Sequence, residues 1–331
     1  MAELTDLSFL GHGLRRPECV LAHSSGYVFA SDVDGNGGFA IVAANGVVRR
    51  VSAQHVGEPL KPNGIALLPG GAVLMAHLGS EHGGVFRIDP QGSVDPYLIE
   101  VGGARLPPTN FVMHDASGRT WVTVSTRKRP RQLDYRPDAC DGFIVLMDAR
   151  GARIVADGLG YTNECAIHPD GERLFVNETF ARRVSAFTIR HDGSLADRRV
   201  FATFGEGVFP DGLAFDAAGG LWVTSIVSNR VFRISPEGIQ ELVIDDSDRQ
   251  HLASVEHAFQ ASAMSSEHLE RGQDRLLRNV SSLAFGGPDL QTIYLGTLMG
   301  SSIPYFRSPV PGHPPPHWRH DISALIDEAR L

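Results

Sequence analysis

The chain has 331 residues, of which 42% are hydrophobic and 21% charged, a balance that fits a folded globular protein and not a disordered one. Its 38 acidic and 30 basic residues give a formal charge of -8, which argues against a nucleic-acid or anionic-membrane partner. The 36 Gly and 20 Pro argue against a mostly helical protein.

The first ten residues carry Glu3 and Asp6 and lack a basic region before an apolar core, so no signal peptide is expected. No segment approaches the roughly 20 apolar residues of a membrane span. Three cysteines, Cys19, Cys140 and Cys165, make a disulfide framework improbable and point to a reducing cytoplasm. No CxxC, HExxH, P-loop or GxSxG element is present.

From the N-terminus, a short pattern recurs. It begins at Pro17-Glu18-Cys19, with Gly26 and Tyr27-Val28-Phe29 following. It returns at Pro62-Asn63-Gly64-Ile65 with Gly71 and Val73-Leu74, then at Thr109-Asn110-Phe111 with Gly118 and Trp121-Val122. A fourth copy is Thr162-Asn163-Glu164 with Gly171 and Leu174-Phe175-Val176. A fifth is Pro210-Asp211-Gly212-Leu213-Ala214-Phe215-Asp216 with Gly219 and Leu221-Trp222-Val223. A weaker sixth starts at Ser281 and runs to Ile293-Tyr294-Leu295. In the first five, a turn glycine follows the polar residue by the same offset.

A second hairpin follows in the units, as in Gly84 to Gly92, Gly142 to Asp148 and Val231 to Gly238. Each unit is then about four strands in about 45 to 55 residues, the size of a propeller blade. The fold expected is all-β: a single six-bladed β-propeller over residues 1–331.

Two stretches break the period. Arg127-Lys128-Arg129-Pro130-Arg131 to Asp141 is basic and reads as a solvated loop, the alternative being that its charge attracts an anionic substrate carboxylate. Residues 245–278 read as a helical insertion, capped by Ser247 or Asp248, with Leu252, Val255 and Phe259 on one face, packed on the propeller surface or, as the alternatives, serving as an active-site lid or subunit contact. The C-terminal tail, about 309–331, is expected to run extended through Pro309 to Trp318, with a short helix over Ile322 to Leu331.

In a propeller, equivalent residues of successive blades converge on the central channel. Glu18, Asn63, Asn110, Asn163, Asp211 and Ser281 therefore form a ring of oxygen donors at one mouth. Such a ring suits a hard divalent cation, although any single Asn or Asp is also a common turn residue. His82 lies with His77 and Glu81 in a loop that could rim the channel and meet substrate. His114 is expected to be a buried, hydrogen-bonded histidine, and Cys19 and Cys165 small packing residues.

Carried by Arg16-Pro17-Glu18, Pro210 to Asp216 with Leu221-Trp222-Val223, and Ala284 to Asp289, the chain resembles the senescence marker protein/gluconolactonase/luciferin-regenerating-enzyme-like family of six-bladed propellers. The resemblance spans roughly residues 14 to 310. It implies one divalent metal held by Glu18, Asn163 and Asp211, with Asn110 on the substrate or completing the metal shell. It also implies a hydrolase that opens a lactone or related cyclic ester of a small metabolite, with Asp211 doubling as general base. Calcium, magnesium or manganese suits the oxygen donors best, with zinc or ferrous iron the alternatives. The chain has Asn110-Phe111-Val112 where the family often has Asn-Asp-Gly, and Thr162-Asn163-Glu164 where it commonly has Pro-Asn-Gly. Phe111 could accordingly line a more apolar substrate pocket, core packing being the commoner role of any single Phe, and Asn63 is also expected to meet substrate. Hydration or isomerisation of a cyclic metabolite, or a metal-stabilised binding propeller, are the competing functions. Oligomeric state is open.

Overall fold

The computed structural model describes residues 3–55, 57–271 and 274–326. Six four-stranded antiparallel sheets follow one another in the chain. Blade 1 comprises Val20–Ala22, Val28–Asp32, Gly38–Val42 and Val48–Ser52. Blade 2 runs from Pro62–Leu67 to Val94–Leu98, blade 3 from Phe111–His114 to Gly151–Leu159, and blade 4 from Thr162–Ile167 to Leu195–Thr203. Blade 5 spans Phe209–Phe215 to Gln240–Asp245. Blade 6 takes three strands, Val280–Gly286, Thr292–Thr297 and Ile303–Arg307, from the C-terminal part. Its outer strand is Ser8–Leu10, paired with Ile303–Arg307 (Ser8 opposite Tyr305). The expected six-bladed propeller is therefore the fold.

The first strands of adjacent blades pack against one another round a central channel. The recurring glycines make the turn between the first and second strand of each blade. Gly26, Gly71, Gly118, Gly171 and Gly219 all have φ between 75° and 87°, a region that a side chain with Cβ occupies at a cost. The periodicity in the sequence is thus a backbone requirement repeated five times.

Two blades add a buried aspartate at the same turn. Asp216 accepts from the backbone N–H groups of Ala218 and Gly220, from the Trp222 indole at 3.0 Å and from Arg233 at 2.7 Å. Asp115 does the same with Ser117, Arg119 and Trp121. One carboxylate thereby fixes the turn and orients the tryptophan that fills the space between blades.

The 245–278 insertion forms two short helices rather than one: α1, Arg249–Gln260, and α2, Ser266–Glu270. Asp248 caps α1 by accepting from the N–H groups of Gln250 and His251. Leu252, Val255 and Phe259 face inward and join Tyr135, Tyr161, Phe180, Phe209 and Leu269 in one apolar cluster. The proline-rich tail crosses the opposite mouth, where Asp216 bridges to Gly312 and His313 donates its N–H to the Phe215 carbonyl. Ser323–Leu325 form a single 3-10 turn, while residues 327–331 of the expected terminal helix lie outside the described residues. Among the described residues no helix is long and apolar enough to cross a membrane.

Candidate active site

Four innermost strands carry one extra residue at the same place. The register with the second strand slips between Pro62 and Ile65, Thr162 and Cys165, Pro210 and Leu213, and Val280 and Leu283. Asn63, Asn163, Asp211 and Ser281 all lie inside these bulges. A bulge re-aims side chains that regular alternation would send elsewhere. Two places earlier, three blades hold a left-handed non-glycine residue: Arg16 (φ 54°), Tyr161 (φ 69°) and Asn279 (φ 69°). Such a conformation is strained and persists only where its surroundings enforce it.

The outcome is a cavity of about 380 Å³, mouth included, at one end of the channel. Glu18, Asn63, Asn110, Asn163 and Asp211 all line it, so five of the six ring positions converge. The sixth does not. The Ser281 hydroxyl donates to the Glu18 carbonyl at 2.7 Å, which makes it a support for the strand beside Glu18.

Hydrogen bonding sets which atom each amide shows to the cavity. The Thr179 hydroxyl donates to the Pro210 carbonyl (2.8 Å), so it accepts from Asn163 Nδ2 (3.1 Å). Asn163 Oδ1 is left facing inward, buried and without a partner. Asn110 Oδ1 and Glu18 Oε2 are also buried and unpartnered. Both ends of the Asn63 amide are held: Nδ2 donates to the Asn110 carbonyl at 2.9 Å, and Oδ1 accepts from Arg16 Nη2 at 3.0 Å. Asn63 is therefore anchored at both ends of its amide while lining the cavity.

Burial raises the Glu18 carboxyl above its usual range, against the pull of Arg16 and Arg131. Burial, then the Glu18 charge, raises Asp211 well above its own. Unpaired buried oxygens are costly, and a divalent cation would satisfy several at once. Among the described residues no group of three or more His, Cys, Asp or Glu is arranged to hold a metal. Amide oxygens would have to complete the shell here, and Asn163 and Asn110 present them. The donor set fits a hard cation on Glu18, Asn163 and Asp211.

Two expected contacts do not belong to this cavity. Phe111 directly follows Asn110, yet its ring packs beneath Gly64 into the opposite end of the channel. There it joins Cys19, Cys165 and Leu213 in a larger cavity of about 940 Å³ with a mainly apolar lining. Entering the strand at Phe111 turns the chain away from the mouth, so the expected apolar substrate wall is not Phe111. His82 is exposed in the loop after His77 and does not line the cavity. His77 is turned inward, where its Nδ1 accepts the Lys61 N–H at 2.9 Å. His114 is partly buried and bonds Thr120 Oγ1 at 3.1 Å, and both Cys19 and Cys165 are packed in the core.

Residues that the repeat did not single out complete the site. Arg131 comes from the basic loop, which is thus not wholly solvated. Tyr135, Tyr161, Phe180 and Leu269 form the wall, the last supplied by α2. The insertion therefore covers the site itself. Glu164 projects to the far cavity, where its carboxyl accepts the Leu213 N–H at 3.3 Å. Burial, with the Glu18 and Asp211 charges, pushes it well above the usual carboxylate range.

Comparison with known proteins agrees with this architecture. Residues 17–246 match the SMP-30/Gluconolactonase/LRE-like region. The chain belongs to that family. A 6-deoxy-6-sulfogluconolactonase of Pseudomonas putida is 27% identical over 216 residues, which cover 64% of this chain. The chain matches 62% of that relative's length. A gluconolactonase structure from Xanthomonas campestris superposes with a TM-score of 0.67 at 20% identity, over 92% of this chain and 89% of that one. A calcium-binding regucalcin from Agrobacterium tumefaciens gives 0.63 at 15% identity, over 94% and 98%. At these identities the superpositions establish the shared fold.

Proposed function

We propose that the protein is a divalent-metal-dependent hydrolase that opens a lactone or related cyclic ester of a small metabolite. The observation that carries this is the group of unpartnered, buried oxygens of Glu18, Asn110 and Asn163 beside Asp211 in one cavity. The family membership and the lactonase names of its relatives support it.

Glu18, Asn163 and Asp211 would hold the metal, with calcium, magnesium or manganese preferred over zinc or ferrous iron. A bound divalent ion supplies Lewis acidity, polarising the ester carbonyl and making water a better nucleophile. Asp211 would also take the proton of the attacking water as general base. Asn110 lines the same cavity, and its Nδ2 group would donate to the carbonyl oxygen as charge develops there. The Tyr135, Tyr161, Phe180 and Leu269 wall excludes bulk water, which strengthens each of these interactions. Arg16, fixed by the Pro62 carbonyl (3.1 Å) and Asn63, keeps positive charge beside Glu18. We place the enzyme in the cytoplasm, with a small molecule and no nucleic acid as its partner.

The test pairs metal analysis with hydrolysis of a lactone panel, with and without chelator. Turnover should disappear on chelation, return with added divalent ion and be lost in Asp211→Ala. Hydrolysis surviving both treatments would overturn the mechanism.

A further inference from the structure

We propose that Arg131 makes this site selective for lactones that carry a second, anionic group, a carboxylate or a sulfonate. The inference rests on the lactonase reading above and names its substrate class.

The unpartnered groups of the cavity sort by type. The acceptors, Glu18 Oε2, Asn110 Oδ1 and Asn163 Oδ1, belong to the ring of innermost strands. Two donors without a partner in good hydrogen-bond geometry line the same cavity: Arg131 Nη1 and the Tyr161 hydroxyl, both buried, with the Tyr135 side chain beside them. The Arg131 guanidinium sits 5.9 Å from the Tyr161 ring centre, so the two donors share one wall. A cation satisfies the acceptors but does nothing for the donors. An anionic substituent, reaching the wall while the ester lies over the ring, satisfies them.

The basic loop shows that this placement is particular to Arg131. Arg127 forks onto Asp157 at 2.8 and 2.9 Å and stacks on Phe143, and Lys128 pairs with Asp134. Arg129 is exposed, so of the four basic residues from Arg127 to Arg131 the last alone lines the site. Arg16 is already held by the Pro62 carbonyl and Asn63. A divalent ion on Glu18 and Asp211 balances their charge, and the two guanidiniums then leave the cavity positive. Guanidinium suits both planar carboxylate and sulfonate oxygens, and charge-assisted bonds in a dry cavity are the stronger class.

The experiment compares three lactones: neutral D-glucono-1,4-lactone, D-glucaro-1,4-lactone with its free carboxylate, and the lactone of 6-deoxy-6-sulfogluconic acid. The wild-type kcat/KM should favour at least one anionic lactone over the neutral one by about 10- to 100-fold, the range of one charge-assisted hydrogen bond. Which anionic lactone wins identifies the group. Arg131→Gln should collapse that ratio toward unity, and Tyr161→Phe should lower it. Calorimetric binding of D-glucarate against D-gluconate to wild type, Arg131→Gln and Tyr161→Phe gives a readout free of turnover. Should no lactone be hydrolysed, the hydrolase reading falls, and an Arg131-dependent preference for the dianion still supports the anion site. A wild type that prefers the neutral lactone, or a preference that survives Arg131→Gln, overturns the inference. If Arg131→Gln does not fold, an unchanged ratio in Tyr161→Phe overturns it equally.

Discussion

Arg182 and Glu256 join blade 4 to helix α1 through a two-pronged ion pair. Nη1 meets Oε1 at 3.1 Å and Nη2 meets Oε2 at 2.5 Å, with both side chains largely buried. The guanidinium also lies 4.5 Å from the ring centre of Phe209 and 4.2 Å from that of Phe259. Glu256 accepts the Gly207 N–H as well. One pair thus clamps the helical cover to two blades. Glu256→Ala strands a buried guanidinium and should cost about 3 kcal/mol. Because Leu269 reaches the site from this cover, KM should rise along with the loss of stability. Arg182→Lys should recover little, since a point charge reproduces neither fork nor stacking. Urea unfolding and steady-state kinetics on both variants check this.

Metal affinity should follow the ring. Asp211→Asn and Glu18→Gln each remove one of two charges, and each should weaken divalent-ion binding by at least tenfold in calorimetry. Asn163→Ala should weaken it less, since a neutral ligand is lost. Ser281→Ala should leave affinity within a few-fold, because its hydroxyl supports the backbone only. Equal effects at Asp211 and Ser281 would contradict the assignment.

Two glycine substitutions separate backbone strain from crowding. Gly171 has φ 75° and open space around its missing Cβ, so Gly171→Ala should cost about 1 kcal/mol. A Cβ on Gly64 would meet Phe111 Cδ2 at 2.6 Å and its Cα at 2.7 Å. Gly64→Ala should therefore cost more, about 2 to 3 kcal/mol, and disturb Asn63 and Asn110 on either side. Denaturation midpoints in the reverse order would refute this.

Acid should destabilise the fold through His77. Burial, then Lys61 and His55, lowers its pKa from 6.5 to about 4, and Nδ1 accepts the Lys61 N–H. Above the unfolded value neither state is protonated there, and the contribution is complete. As pH falls from 6.5 toward 4 only the unfolded chain takes up the proton, so stability is lost across that window and levels off below it. The loss should reach about 2 kcal/mol after solvent screening of a partly exposed ring. His77→Gln should flatten the slope of unfolding free energy against pH between 4 and 6.5.

The blades were legible in the chain because their turns demand glycine at φ near 80°, and a repeated backbone demand leaves a repeated residue. Glu18, Asn110, Asn163 and Asp211 were legible for the same reason, each tied to such a turn. Ser281 matched the ring position but lacked the turn glycine, with Asp289 eight residues on, and its short hydroxyl is spent on the Glu18 carbonyl. Phe111 was misplaced because adjacency to Asn110 says nothing about which end of the channel a ring will fill. Arg131 and Leu269 belong to segments outside the period, and only tertiary packing brings them to the site. Tyr161 did leave a signal, standing two residues before Asn163 as Arg16 does before Glu18.

Blade 6 has a temporal consequence. Its outer strand is made before blade 1, and the strand it pairs with, Ile303–Arg307, emerges only after five other blades. Until then Ser8–Leu10 has no ladder to join, and blade 5 exposes the flank that blade 6 will cover. The nascent chain should thus pass through an open, horseshoe-like intermediate, sealed late by one non-local pairing.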